Sequence, residues 1–117
     1  MRLLHVGLSV GSGVAVVTAT GEVDMTTVGL LAERLDRAHG LVPVPRAVVA
    51  DLSGVRFLAA AGVAALLAAH RTCGDRGVAL WVVASNRAVR HPLDVCGLAS
   101  VLHVVAEPAT ADAPAQP

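Results

Sequence analysis

Two carboxylates stand two residues apart in Glu22-Val23-Asp24. As a general acid and base they would need a substrate cleft and separated pKa values. A plainer use of the pair is a solvated turn, with Asp24 capping a helix and both acids on a polar rim. Ser53 follows Asp51 in Asp51-Leu52-Ser53-Gly54. No G-x-S-x-G elbow surrounds it and no base stands at a telling distance, so a hydrolase is not indicated and a turn-capping hydroxyl is. None of His5, His39, His70, His91 and His103 lies three or four residues from another, or at a metal-type spacing from a carboxylate. They read as surface or helix-end histidines, with no metal and no cofactor implied. Cys73 and Cys96 are too few and too far apart for a zinc or redox pattern, and are expected to be packed, reduced thiols on helices.

Phosphate-binding signatures are missing as well. Gly54 is not followed by Gly-Lys-Ser or Gly-Lys-Thr, and no helix follows Gly11-Ser12-Gly13. All nine basic residues are Arg, they are scattered, and nine acids balance them. That pattern excludes an electrostatic footprint for nucleic acid or anionic lipid. Phe57 and Trp81 are the only aromatic residues, so there is no base-stacking platform.

The elements that would position these groups alternate along the chain. Leu4 to Val10 alternates apolar residues and reads as an edge strand, turning at Gly11-Ser12-Gly13 into a second strand over Val14 to Ala19. Asp24, Thr26 or Thr27 can cap a helix to about His39, with Val28, Leu31, Leu35 and Ala38 on one side. Gly40 to Pro45 stops it. Ala47-Val48-Val49-Ala50 has the continuous apolar character of a buried parallel strand. This strand is expected to end at Asp51, with Ser53 and Gly54 in a short loop before a helix over about Ala60 to Cys73. Another buried strand covers Val78 to Val83. Ser85 or Asn86 caps a third helix ending near Gly97, with a kink or break expected at Pro92. Val101 to Val105 suits a last short strand.

The order predicts an α/β fold: one small domain over residues 1–106, with a mixed, mostly parallel sheet of about four or five strands. An antiparallel hairpin forms its N-terminal edge and about three main helices complete it. Residues 107–117, rich in Ala and Pro, are expected to be a disordered tail. The longest apolar run, Phe57 to Ala69, is too short to cross a bilayer. A soluble, cytoplasmic protein without direct membrane insertion is expected. Ligands and partners of such sheets favour the carboxyl ends of the strands. Here that end collects Gly21 to Thr27, Asp51 to Ala61 and Ala84 to Arg87.

Four segments, in this order and spacing, resemble a STAS domain. They are Gly21-Glu22-Val23-Asp24-Met25-Thr26-Thr27, then Val49-Ala50-Asp51-Leu52-Ser53-Gly54-Val55-Arg56-Phe57-Leu58, then Gly62-Val63-Ala64-Ala65-Leu66, and Val89-Arg90 through Cys96-Gly97-Leu98. The likeness is strongest to bacterial anti-sigma factor antagonists. It implies a non-catalytic regulatory module that binds an anti-sigma factor with serine kinase activity and so releases a sigma factor. It also implies a partner-binding face at Glu22, Asp24, Met25, Ser53, Gly54, Leu58, Ala60, Ala61 and Gly62. In that family a Ser or Thr at the start of the second helix accepts a phosphoryl group, which breaks the complex. With Gly62 as anchor, Ala61 stands at that acceptor position, Ala60 beside it and Ala59 in place of the usual Asp. The resemblance thus predicts a degenerate phosphosite, with Ser53, Thr26 or Thr27 as substitute acceptors to be considered. The same family supplies an alternative: a subunit or scaffold in a lipid- or anion-transport complex or a stress-signalling assembly. A weak homodimer is also compatible with it.

Overall fold

Alternation sets the two faces of the sheet. In the computed structural model, which describes residues 3–107, strand β1 (Leu4–Gly11) turns tightly into β2 (Val14–Val23), and the two pair antiparallel. Helix α1 (Val28–His39) then leads to β3 (Ala47–Leu58), α2 (Ala60–Asp75) to β4 (Ala79–Val83), and α3 (Arg87–Val95) to β5 (His103–Val105). The strands lie side by side in chain order, β1-β2-β3-β4-β5, and every pairing after the hairpin is parallel. This is the expected mixed sheet with its antiparallel edge. The expected tail falls on residues 108–117, which lie outside the described residues.

Strands that advance in one direction through crossovers of one hand place their helices on one face. The core follows that rule. Ala15, Val17, Ala19, Val48, Ala50, Leu52, Leu80 and Val82 meet Leu31, Leu35, Leu66, Ala69, Val89 and Leu93 from the three helices in one apolar layer. On the other face, Val14, Ala47, Val49 and Val83 form a smaller cluster with Val16, Trp81 and Val105, all from strands. A sequential strand order also lacks the reversal point at which doubly wound sheets open a ligand crevice.

Three expectations about the elements need correction. Strand β3 does not end at Asp51; it continues to Leu58, and β2 continues beside it to Val23. Ser53 and Gly54 are therefore strand residues, not loop residues. Two irregularities hid this. The register steps from Thr18↔Asp51 to Thr20↔Gly54 and from Gly21↔Val55 to Glu22↔Phe57, so β3 carries an extra residue at each step. Its buried side chains accordingly fall at Val48, Ala50 and Leu52 and then at Val55 and Leu58. Next, Pro92 neither breaks nor ends α3, which runs from Arg87 to Val95. The bonds Arg90 N–H to Asn86 O and Cys96 N–H to Pro92 O hold the turns on both sides of it, and Pro92 itself has no N–H to donate. Lastly, Cys73 is buried on α2, but Cys96 is exposed at the C-cap of α3 and is not packed.

Candidate partner-binding site

The upper end of β2 is locked into a turn by one carboxylate. Asp24 Oδ1 accepts hydrogen bonds from Thr26 Oγ1 at 2.7 Å, Thr26 N at 2.9 Å and Thr27 N at 3.1 Å. The Thr26 hydroxyl, followed by the backbone donors, holds the Asp24 carboxyl below the usual carboxylate range. Thr27 returns a bond to the Asp24 N–H and donates its own hydroxyl to the Glu22 carbonyl. Thr27 stands at the N-cap of α1 without a side-chain cap bond; the Asp24 carboxylate does the work expected of one of these three residues. With its neighbours tied down, Met25 projects from the turn, 85 % exposed.

The start of α2 sits against this turn. Ala59 N–H donates to the Val23 carbonyl at 2.9 Å, joining the end of β2 to the beginning of the helix. Ala59 is the N-cap residue, extended at φ −79 and ψ 169, and its methyl group caps nothing. The first turn holds no acidic residue. The N–H groups of Ala60 and Ala61 have no acceptor within the helix, and no acid of the helix's own first turn faces the positive end of its dipole. Ala60 is exposed and Ala61 half-buried.

Beneath that surface the contacts are tight. A Cβ on Gly62 would come within 2.5 Å of Leu58 Cδ1 and 2.7 Å of Val23 Cγ1, so only glycine lets α2 approach the ends of both strands this closely. Leu58 is 3 % exposed and supports the site from within the core. Gly62 is buried in the same way.

Ser53 and Gly54 are not part of this cluster. Ser53 lies roughly 20 Å of extended chain before Ala59 and faces away from the helices. There its hydroxyl donates to Asp51 Oδ1 at 2.6 Å and its N–H to the same oxygen at 3.1 Å. Gly54 sits where a Cβ would come within 2.9 Å of Thr20 Oγ1. The structure thus gathers Asp24, Met25, Ala60 and Ala61 at one exposed corner. It puts Leu58 and Gly62 under them and Glu22 just below, and it leaves Ser53 and Gly54 on another part of the sheet.

Asn86 has a larger part than a cap. Its Oδ1 accepts from Val89 N at 3.1 Å, closing the first turn of α3 as the Asn-to-Val spacing suggests. Its Nδ2 also donates to the carbonyls of Ser53 and Val55, at 3.2 and 3.0 Å. β4 pairs with β3 only as far as Asp51, so Asn86 occupies the open edge that β4 leaves. Arg56 is a residue the sequence did not single out. It pairs with Glu22 across the β2–β3 ladder and leaves that carboxylate 18 % exposed.

Other titratable groups stand apart from this corner. Burial pushes the Cys73 thiol up to about 11. His39 is buried at the end of α1, with only a long 3.4 Å contact from Nε2 to Asp36. Among the described residues, no three His, Cys, Asp or Glu side chains are grouped as a metal site would need.

Comparison with known proteins agrees with this geometry. The STAS domain family profile matches residues 8–111. The chain belongs to the STAS domain family. Over 87 residues it is 36 % identical to the anti-sigma-F factor antagonist RsfB of Mycobacterium tuberculosis, covering 74 % of this chain and 69 % of that protein. Over 89 residues it is 30 % identical to the anti-sigma-F factor antagonist RsfA of the same species, covering 76 % and 70 %. The crystal structure of an anti-sigma factor antagonist from Mycobacterium paratuberculosis superposes with a TM-score of 0.88 at 28 % identity, covering 98 % of this chain and 96 % of that one. The STAS sheet with its N-terminal hairpin and three helices is therefore the fold that both sequence and geometry give. No helix among the described residues is long and apolar enough to cross a membrane.

Proposed function

We propose that this protein is a non-catalytic anti-sigma factor antagonist that works in the cytoplasm, binds an anti-sigma factor of the serine-kinase type, and is not switched off by phosphorylation at the usual position. The observation that carries this reading is the exposed start of α2, where Ala59, Ala60 and Ala61 follow one another beside Met25. A methyl group accepts no phosphoryl group. A phosphate there would add roughly −1.5 to −2 charge, which the helix terminus would accommodate and an apolar or acidic partner surface would not. With alanine at Ala61 the contact surface persists and the covalent switch is gone. The relatives named for anti-sigma-F antagonism support the partner class.

The test uses the anti-sigma factors of the source organism. One of them is expected to form a stable complex with the protein in the presence of ATP, with no added phosphate in the mass spectrum. Ala61→Ser is expected to gain phosphate from that kinase and lose the complex. Ala61→Asp is expected to weaken binding at once. A phosphate mass shift on the parent protein, mapped to Ser53, Thr26 or Thr27, would overturn the switchless reading. Unchanged binding by Ala61→Asp would remove the α2 terminus from the contact.

A further inference from the structure

Next to the α2 terminus, a shallow cleft of about 310 Å³ opens between the end of β3 and the outer side of α3. It is lined by the apolar Phe57, Leu58, Ala88 and Pro92 together with Arg56, Arg87 and His91. Helix periodicity explains the lining. Val89 and Leu93 turn into the core. Arg87 and His91, and beside them Ala88 and Pro92, then fall four residues apart on the outward side. Val95, 71 % exposed, continues the outer row.

The charges are unequally occupied. Arg56 is already paired with Glu22. Arg90 is turned away, its Nε donating to the Ala84 carbonyl at 2.6 Å. Arg87 forms no ion pair among the described residues. The remaining acid on this helix, Asp94, is exposed three residues beyond His91. A guanidinium without a carboxylate, standing beside a half-exposed Phe57 (39 %), is complementary to an acidic side chain flanked by an aliphatic one. One aromatic ring with no phosphate-tracking row of cations does not suit a nucleic acid.

We propose that this cleft docks an acidic segment of the protein partner, with a carboxylate on Arg87 and a neighbouring aliphatic side chain against Phe57 and Pro92. That the partner is an anti-sigma factor rests on the function proposed above; the chemistry of the docked segment does not.

The test adds a synthetic peptide, Glu-Leu-Glu-Glu-Leu-Glu, and its Gln-for-Glu counterpart to the full ¹⁵N-labelled chain and follows amide shifts. The acidic peptide is expected to move the signals of Phe57, Arg87 and His91 and to weaken as salt rises. The Gln peptide and the Arg87→Glu variant are expected to lose affinity about tenfold or more. An acid in the first turn of α3 suits the helix dipole, so Arg87→Glu should fold as well as the parent. Arg71→Glu, on the exposed side of α2, is expected to bind the acidic peptide as the parent does. Equal binding of the two peptides, or shifts reproduced by inorganic phosphate at matched ionic strength, overturns the inference. Capture of an anti-sigma factor that is indifferent to Arg87→Glu overturns it too, while leaving the proposed function standing. Peptide binding at the cleft without capture of any anti-sigma factor supports the cleft and defeats the proposed function.

Discussion

Helices α2 and α3 begin at the same end of the sheet, each just after a parallel strand, yet their first turns are finished in opposite ways. At α3, Asn86 turns its carbonyl oxygen to Val89 N and its amide to two carbonyls of β3. The helix start is bound into the sheet. At α2, Ala59 supplies no acceptor, and attachment comes from the backbone bond to Val23 and from the close fit at Gly62. The first arrangement uses the polar ends of the helix for stability. The second leaves them available to something outside the molecule. An exposed terminus built of alanines is poor as a cap and suitable as a contact, because it presents N–H groups and a flat apolar surface with no side chain in the way.

The comparison can be broken at either helix. The largest effect is expected at Gly62, where Gly62→Ala inserts a methyl group between Leu58 and Val23; a loss of about 1–3 kcal/mol is expected in urea unfolding. A neutral result would mean that α2 is not held by that approach. Asn86→Ala removes the α3 cap and leaves the Ser53 and Val55 carbonyls without its amide, with an expected loss of about 1–2 kcal/mol in the same experiment. Ala59→Asp should act in the other direction. The residue is already extended, as an N-cap must be, so a carboxylate there is expected to add about 0.5–1 kcal/mol. No gain would show that the α2 N–H groups are satisfied already, and the contrast between the two helices would collapse.

The smallest effect concerns the exposed turn before α1. The folded pKa of Asp24 lies below its unfolded value, near ~3.9. Its contribution to stability is therefore complete above that unfolded value and is lost as pH falls through the folded pKa. Thr26→Val removes the strongest of its donors and should move the carboxyl titration upward in ¹³C NMR. An unmoved midpoint would mean that the backbone donors alone depress it.

Much of this molecule can be read from residue patterns alone. The hairpin, the amphipathic α1, and the apolar strands at Val48 and Val82 follow from periodicity. The cap at Asn86 follows from its residue type. What resisted reading was the second half of β3. Asp51, Ser53 and Gly54 have the composition of a turn, and the intervals Leu52, Val55 and Leu58 fit neither a strand nor a helix. Only the pairing with β2 shows that two extra residues are absorbed while the same face stays buried. For the candidate site, the strand order pointed to one end of the sheet, and the structure shows only which of the named residues lie together there. Ser53 and Gly54 were drawn in by their supposed loop, and Arg56 and the second role of Asn86, its amide bonds to β3, were passed over because those partners are about thirty residues away in sequence. Long-range hydrogen bonds of that kind leave no local pattern.

Trp81 is the only tryptophan in the chain. It lies on the helix-free side of β4, its ring 4.8 Å from that of His103 and aligned in register with Val49, well below the corner formed by Met25 and Ala60. Intrinsic fluorescence is therefore a built-in readout of whether the sheet is intact. Occupation of the upper corner should leave its spectrum silent, so a partner that changes the emission must reach the helix-free face or strain the sheet beneath it.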